Sequence, residues 1–328
     1  MRLLDILVRT LLVLLMLPTM LAAQPKLVQP IQCTLDEDCF IQQFVDRDPG
    51  PASADFMCTG LSYNGHKGTD FALNSLVDQS KGVNVLAAAS GVVKGVRDEM
   101  PDIMIGQPGA PDLNGRDCGN GVVIDHGSGW ETQYCHMALG SVAVGAGDRV
   151  SAGDVLGLVG LSGRTEFPHL HLSVRHNGAE IDPFEPNGNP ECGADVEASL
   201  WSNPIATPSG GIITIGFSDQ VPEYSDVKQG TAGREQLSAQ GPALVLWAYM
   251  FGSQTGDKVQ ITILDPNGAT VFEDIVDLER DQAQLFRAGG RRTPKGGWGV
   301  GEHIGIVELL RNGESLEIQT VSVELSGP

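Results

Sequence analysis

The side chains best able to do chemistry lie in two short segments that are far apart in the chain. The first segment, HKGTD, contains His66 and Asp70, and the second, HLH, contains His169 and His171. Two imidazole nitrogens and one carboxylate oxygen form a ligand set that Zn²⁺ accepts, and a catalytic zinc keeps a fourth position for water. Together the two segments predict a metal-dependent hydrolase.

The second segment has the residue pattern of a strand with one polar and one apolar face. If residues 168–174 are extended, side chains alternate between faces, so His169 and His171 point the same way. Leu170 and Leu172 then point into the core. One histidine of the pair can bind the metal while the other handles protons.

Each motif alone is weak evidence, because H-x-x-x-D and H-x-H both occur by chance in many chains. This chain has only seven histidines, and two more of them, His126 and His136, lie between the two motifs. In this combination the sequence resembles the lysostaphin-like and LytM-like zinc endopeptidases, the twenty-third metallopeptidase family, which cut peptide bonds in bacterial peptidoglycan.

The resemblance covers about residues 60–186. Beyond the two motifs, four further segments carry the resemblance. Residues 85–93 are similar to the family's strand after the first motif, and residues 119–127 are similar to its central hairpin. The glycine-containing run 144–163 is similar to the segment that leads into the H-x-H strand, and Ile181-Asp182-Pro183 is similar to the usual exit. The resemblance implies that His66, Asp70 and His171 are the zinc ligands. It implies that His136 and His169 are two catalytic histidines that do not bind the metal.

The resemblance also implies a fold and a mechanism. The fold would be all-β, with an antiparallel β-sheet catalytic domain of the duplicated-hybrid-motif type and the metal in a groove on the sheet. Zinc would polarise the scissile carbonyl and activate water, and the substrates would be peptidoglycan stem peptides. No H-E-x-x-H helix supplies a glutamate base, so His136 and His169 would transfer protons and stabilise the oxyanion. His126 is expected only to support the hairpin.

The chain departs from the family pattern in two places. Cys135 immediately precedes His136, and residues 97–118 are longer than a plain hairpin connection. Proline and glycine residues in this insertion predict a loop, and long loops beside a site usually shape substrate access.

Three alternatives compete with a zinc peptidase. A serine hydrolase would require G-x-S-x-G, which is absent, since Gly160-Leu161-Ser162-Gly163 misses it by one residue. A non-catalytic cell-envelope binding protein or amidase activator would use the same fold but lack a ligand, and no ligand is missing. A structural envelope protein would result if the leader or residues 97–118 blocked the groove.

The N-terminus and the cysteines predict export to the periplasm or the extracellular space. Residues 1–23 have the order of a secretory signal peptide, and no stable membrane insertion is expected once it is removed. Six cysteines in an oxidising compartment would form disulfides. The best pair is Cys118 with Cys135, which flank the proposed hairpin strands; Cys33 with Cys39, and Cys58 with Cys192, follow by proximity and elimination.

The formal net charge of −20 limits the classes of partner. Binding of nucleic acid or anionic lipid requires a basic surface, so neither partner is expected. The simplest interpretation of the charge is solubility.

The rest of the chain predicts a second domain without chemistry of its own. Residues 24–55 form a leader stapled by disulfides, residues 56–193 the metallopeptidase domain, residues 194–208 a linker, and residues 209–328 an immunoglobulin-like β-sandwich. In the last domain, His303 is expected at the surface or on an edge strand. A protein or a wall polymer is a possible partner of this domain.

Overall fold

A computed structural model describes residues 24–189, 191–193 and 198–327, so the predicted signal peptide at residues 1–23 lies outside the described part. The helices of the described residues are too short and too polar to cross a membrane. Strands make up nearly all of the regular structure, which confirms the all-β prediction.

The regular elements of the first half of the chain are ten strands and one short helix. They are β1 (Cys39–Gln43), β2 (Thr69–Leu73), α1 (Leu76–Ser80), β3 (Asn84–Leu86), β4 (Gly91–Arg97), β5 (Asn120–Gly127), β6 (Trp130–Met137), β7 (Arg149–Val150), β8 (Val155–Leu158), β9 (His169–His176) and β10 (Ala179–Ile181).

The second half contains eight further strands and another short helix. They are β11 (Gly211–Ser218), α2 (Tyr224–Gln229), β12 (Gln236–Ser238), β13 (Ala243–Ser253), β14 (Lys258–Leu264), β15 (Thr270–Asp277), β16 (Gln282–Arg292), β17 (Gly301–Arg311) and β18 (Glu314–Ser326).

The first half is built on one antiparallel sheet in the order β1-β2-β9-β6-β5-β4-β7, and β10 pairs with β9. The apolar face expected for β9 is present, because Leu170, Leu172 and Val174 are buried in the core. Residues 85–93, predicted as one strand, instead form the end of β3 and the start of β4, separated by buried Ala87 to Ala89. Residues 97–118 contain no helix or strand beyond Arg97, as predicted for a loop.

The leader is part of this sheet. Its strand β1 pairs antiparallel with β2 and forms the sheet edge. Farther upstream, Ile31 bridges to Val85 and Leu27 bridges to Trp201, and all four side chains are buried. The leader therefore completes the core of the first domain.

The six cysteines form three disulfides, in the pairs predicted from the sequence. They are Cys33–Cys39, Cys58–Cys192 and Cys118–Cys135. The second of them joins residues separated by 134 positions, so it ties the start of the first domain to its end.

The second half folds as two packed sheets. The sheet β11-β13-β16 lies against the sheet β12-β18-β17-β14-β15, in which only the β12–β18 pair is parallel. This is the β-sandwich that the sequence predicts. The prediction for His303 was wrong: this residue lies on β17, a central strand of its sheet, and its side chain is fully buried.

Strand β13 is apolar on both faces because it contributes to two cores. Its alternate side chains divide between them: Leu244, Leu246, Ala248 and Met250 face the sandwich interior, whereas Trp247, Tyr249 and Phe251 pack into the core of the first domain.

Specific contacts fasten the two halves together along this strand. The rings of Phe40 and Phe251 lie 4.6 Å apart, centroid to centroid, and Gln254 donates a hydrogen bond to the Thr59 carbonyl. Within residues 194–208, predicted as a linker, Leu200 and Trp201 are buried in the first core. We propose that the first domain ends at residue 193 and that the second begins at residue 209. Residues 200 and 201 of the connecting segment pack on the first domain.

Asp182, just after β10, makes the stability of this region depend on pH. Its Oδ1 accepts a hydrogen bond from the Phe184 amide, whereas its Oδ2 is buried without a partner. Burial raises the pKa of this carboxyl from 3.8 to about 6. The folded protein therefore holds a proton that the unfolded chain releases between pH 4 and 6, and stability falls as the pH rises through that window.

We expect Asp182→Asn to remove this loss. Between pH 4 and pH 7, the free energy of unfolding of the parent protein should decrease by up to about 3 kcal/mol more than that of the variant. Each pKa unit of the shift corresponds to about 1.4 kcal/mol. Denaturant titrations of both proteins at the two pH values measure this difference. A difference that does not change with pH would contradict the assignment.

Candidate metal centre

The site is assembled by three neighbouring strands whose register aligns the motif residues. In the β2–β9 pair, Asp70 lies opposite His171 and Ala72 lies opposite His169. In the β6–β9 pair, Cys135 lies opposite His171 in the last matched position. His136 is the next residue of β6, so it lies beside the motif residues of β9. The two distant motifs and His136 therefore meet on one patch of the sheet.

His66 reaches the patch from a turn before β2. Its amide donates to the Tyr63 carbonyl, and its ring Nδ1 lies 2.6 Å from the Phe44 carbonyl oxygen. A carbonyl can only accept, so Nδ1 carries the proton and Nε2 presents a lone pair to the site. Gly68 makes room for this arrangement, because a Cβ at this position would lie 2.6 Å from Nε2 of His171.

The donor atoms of three residues converge at the centre of the patch. His66 Nε2 lies 3.2 Å from Asp70 Oδ2 and 3.2 Å from His171 Nδ1, and His171 Nδ1 lies 2.7 Å from Asp70 Oδ1. Tetrahedral zinc with bonds of about 2.0 to 2.1 Å places its ligand atoms about 3.3 Å apart. The donor set and its spacing therefore fit a zinc ion, with a small expansion on the Asp70–His171 side.

The electrostatics of the three residues also favour a cation. Nε2 of His171 lies 3.0 Å from the Ser173 hydroxyl, which leaves Nδ1 to face the other two donors. Burial alone would raise the pKa of the Asp70 carboxyl, but neighbouring His66 and His169 hold it well below its usual range. Burial likewise opposes the charged form of His66, yet the Asp70 carboxylate raises the pKa of that imidazole. The buried carboxylate of Asp70 and the facing lone pairs of His66 and His171 therefore favour a positive charge between them.

His136 stands beside this centre in an unusual backbone conformation. Its φ is 61°, a left-handed value that is rare for a residue with a side chain. Its ring Nδ1 lies 2.8 Å from the Ser162 carbonyl oxygen, which directs Nε2 away from the sheet backbone. Burial, and then the nearby His169 and His171, lower the pKa of His136 well below its usual range.

His169 is oriented in the same way. Its Nδ1 lies 2.9 Å from the Phe167 carbonyl oxygen and 3.1 Å from the Thr165 hydroxyl. Burial lowers its pKa, so the imidazole is neutral at pH 7 with a lone pair on Nε2. The rings of His136 and His169 lie 4.6 Å apart, and Nε2 of His169 is 3.6 Å from Asp70 Oδ1. Two neutral imidazoles therefore flank the donor cluster.

The cluster opens into a groove with a volume of about 520 Å³. Its walls come from Gln43 of the leader, Ile105 and Gly106 of the insertion, and Ala283 of the second domain. The leader and the insertion, both candidates for blocking the site, thus border the groove. Half-exposed Tyr63 adds a phenol, and its ring lies 4.5 Å from that of His66.

Several partners of the site had no signal in the sequence. The carbonyls of Phe44, Phe167 and Ser162 orient three imidazoles, but backbone oxygens belong to every residue type. Ser173 lies two residues after His171, so strand alternation puts its hydroxyl on the same face of β9, but the alternation does not indicate that it contacts His171. His126, in contrast, lies outside the cluster and bridges the Ser90 carbonyl and the Thr132 hydroxyl, as expected for a residue that supports the hairpin.

The Cys118–Cys135 disulfide holds the backbone of His136. The His136 amide also donates to the Cys118 carbonyl at 2.9 Å, so the disulfide and this hydrogen bond fix the left-handed residue together. In a double variant, Cys118→Ser with Cys135→Ser, we expect stability to fall by about 3 kcal/mol and turnover to fall with unchanged zinc content.

The matched control is Cys33→Ser with Cys39→Ser, which opens a disulfide whose cysteines adjoin no catalytic histidine. It should lose stability while keeping its turnover number. Denaturation, metal analysis and peptide cleavage of the two variants separate these effects. Equal turnover in both variants would contradict the role given to the Cys118–Cys135 bond.

Comparisons with known proteins point to one family. Residues 64–183 match the family described as Peptidase family M23. The chain is 45% identical over 65 residues to the DD-carboxypeptidase/endopeptidase Mpg of Neisseria meningitidis serogroup B, a match covering 20% of this chain and 14% of that protein. It is 33% identical over 122 residues to the peptidoglycan DD-endopeptidase ShyA of Vibrio cholerae, covering 37% of this chain and 23% of that protein.

The matched segments span less than a quarter of the length of these two relatives. Among solved structures, a zinc containing peptidase from Vibrio cholerae is 27% identical with a TM-score of 0.28, covering 43% of this chain and 38% of that chain.

Proposed function

Because residues 64–183 belong to peptidase family M23, we propose that this protein is a zinc metalloendopeptidase that hydrolyses peptide bonds in the cross-links of peptidoglycan. The observation that carries the proposal is the convergence of His66, Asp70 and His171 beside two neutral, oriented histidines. The open groove above them gives an extended peptide access to this cluster.

The three donor residues would hold zinc, which when bound polarises a scissile carbonyl and lowers the pKa of water. The protein prepares these residues by engaging their remaining polar atoms. The Phe44 carbonyl oxygen accepts a hydrogen bond from Nδ1–H of His66, and the Ser173 hydroxyl pairs with Nε2 of His171. Such partners fix the ring orientation and the tautomer of a metal-binding histidine.

His136 and His169 would move the protons. A neutral imidazole whose Nδ1 donates to a carbonyl can only accept at Nε2, so each is a general base in the resting state. After taking a proton from the attacking water, the same Nε2–H can donate to the leaving amide nitrogen. The phenol of Tyr63, which lines the groove, would donate a hydrogen bond to the oxyanion. The second imidazole would do so only after it has gained a proton at Nε2. Burial and the Asp70 charge raise the pKa of Tyr63 to about 12, so its phenol keeps its proton at working pH.

We further propose that the protein is exported and acts in the periplasm or outside the cell. Three disulfides support this location, because such bonds form and persist in oxidising compartments. Residues 1–23 would be the signal peptide. N-terminal sequencing of the protein recovered from the envelope should then begin near Gln24, and an intact Met1 would argue against cleavage.

Digestion of purified peptidoglycan tests the proposed function. The mature protein should convert cross-linked dimeric peptides into monomers, with mass spectrometry showing the addition of one water at a peptide bond and intact glycan strands. A protein that sediments with the sacculi but releases no fragment would instead support the alternative of a non-catalytic envelope binding protein or amidase activator.

A further inference from the structure

The catalytic groove does not end at the first domain. A second cavity of about 460 Å³ lies between the two domains and shares Gln43, Glu166, Phe167 and Ala283 with the groove. Because four lining residues are common to both, a ligand in the groove can continue into the interdomain cleft. The start of β16 in the second domain thus forms a wall of the substrate path.

The structure fastens this wall to the sheet edge that carries the site. The Gln42 amide donates to the Ala283 carbonyl at 2.7 Å, and the Gln284 amide donates to the Gln42 side chain at 2.9 Å. Tyr249 donates to the Gln284 side-chain oxygen at 2.6 Å. Buried Gln42 therefore links strand β1 to strand β16, and the cleft has a fixed geometry relative to the donor cluster.

The cleft presents two cations in a strongly acidic chain. Lys228 and Arg280 both line it, whereas the net charge is −20. Neither forms an ion pair with any residue of the described ranges. The Lys228 ammonium lies 5.2 Å from the ring centre of Tyr224, which orients it without neutralising it.

The cleft also contains two acidic residues, Glu166 and Asp281. Asp281 accepts hydrogen bonds from the Thr255 amide at 2.7 Å and from its hydroxyl at 2.9 Å. Glu166 lines both the groove and the cleft, so it stands at their junction, whereas Arg280 lines only the cleft. Arg164 also lines the groove, but it forms an ion pair with Asp117. Among the described residues that line the path, Lys228 and Arg280 are therefore the cations without an ion-pair partner.

We propose that Lys228 and Arg280 form a subsite that binds a free carboxylate on the substrate peptide, and that the second domain thereby selects substrate. This inference rests on the proposed function, because it assigns the occupant of the same groove. A cross-linked peptide carries carboxylates at some distance from the scissile amide, and lysine and arginine side chains without an ion-pair partner are the chemistry that recognises such a group.

Two synthetic cross-linked peptides that differ only in one group test the subsite. One carries a free carboxylate on the arm beyond the scissile bond, and the other carries a carboxamide there. For Lys228→Gln with Arg280→Gln, the KM of the carboxylate peptide should rise about three- to tenfold with little change in kcat, the scale expected for two partly exposed charges. The KM of the carboxamide peptide should not change.

The matched control is Arg292→Gln with Lys295→Gln, which removes the same charge at the opposite end of β16 and just after it. It should leave both KM values unchanged. A rise in KM that is equal for the two peptides, or absent for both, would overturn the subsite while cleavage itself upheld the proposed function. Failure of the parent protein to cleave either peptide would overturn both.

A second variant tests the path without relying on charge. Ala283 is exposed in the groove wall, so Ala283→Trp should obstruct the groove and lower kcat/KM at least tenfold for both peptides, with the zinc content unchanged. Ala269→Trp, in an exposed turn of the same domain, is the control and should cleave normally. Normal cleavage by Ala283→Trp would show that the substrate does not pass this wall.

Discussion

Asp70→Ala should lose both its zinc and its ability to cleave cross-linked peptides. Asp70 is the only carboxylate of the donor cluster, and its two oxygens contact His66 and His171. Two imidazoles alone compete poorly with water for the ion, so His66→Ala and His171→Ala should behave in the same way. Activity should fall further than the roughly 10²- to 10⁴-fold loss that follows removal of an acid or base, because these variants lose the Lewis acid itself.

Metal analysis of the purified variants checks this result. The parent protein should contain close to one zinc per chain. His176→Ala is a suitable control, since His176 lies at the end of the same strand, β9, and stacks on Trp130 away from the cluster. Full zinc retention in two of the three ligand variants would refute the assignment of the ligands.

His136→Ala and His169→Ala should give the opposite combination: normal zinc content with turnover reduced by about 10²-fold or more. Both imidazoles have Nδ1 fixed by a backbone carbonyl and Nε2 free, and neither belongs to the three-residue donor cluster. Their loss removes proton transfer without removing a ligand. Turnover numbers and zinc content measured on the same preparations separate the two roles.

The zinc content of His169→Ala tests which histidine of the H-x-H motif binds the metal. Its Nε2 lies only 3.6 Å from an oxygen of Asp70, so it is the residue most easily confused with a ligand. Loss of the metal in His169→Ala would mean that the wrong histidine of the H-x-H motif had been assigned to zinc.

The sequence carried more information about which residues come together than about how the groove above them is enclosed. Strand alternation alone placed His169 and His171 on one face of β9, because that rule depends only on neighbouring residues. The β2–β9 register that sets Asp70 opposite His171 joins distant segments, so it was available only through the family resemblance, which the match over residues 64–183 confirms. The carbonyls that orient the imidazoles had no sequence signal.

The second domain shows where a local pattern stops being informative. The apolar run in β13 predicted a strand, but nothing in it indicated that Trp247, Tyr249 and Phe251 would pack on the first domain. In strands β15 and β16, half-exposed positions and charged residues obscure the alternation of polar and apolar side chains. The contribution of Ala283 to the groove depends on that packing, so it required the structure.

Zinc reconstitution tests whether cleavage depends on one bound zinc ion. The mature protein, stripped with a chelator and dialysed, should no longer cleave a cross-linked peptide, and stepwise addition of Zn²⁺ should restore cleavage linearly up to one equivalent per chain. The same titration of Asp70→Ala should restore nothing. Full activity in the stripped protein, or one tightly bound zinc without any cleavage, would contradict the assignment of this chain as a zinc endopeptidase.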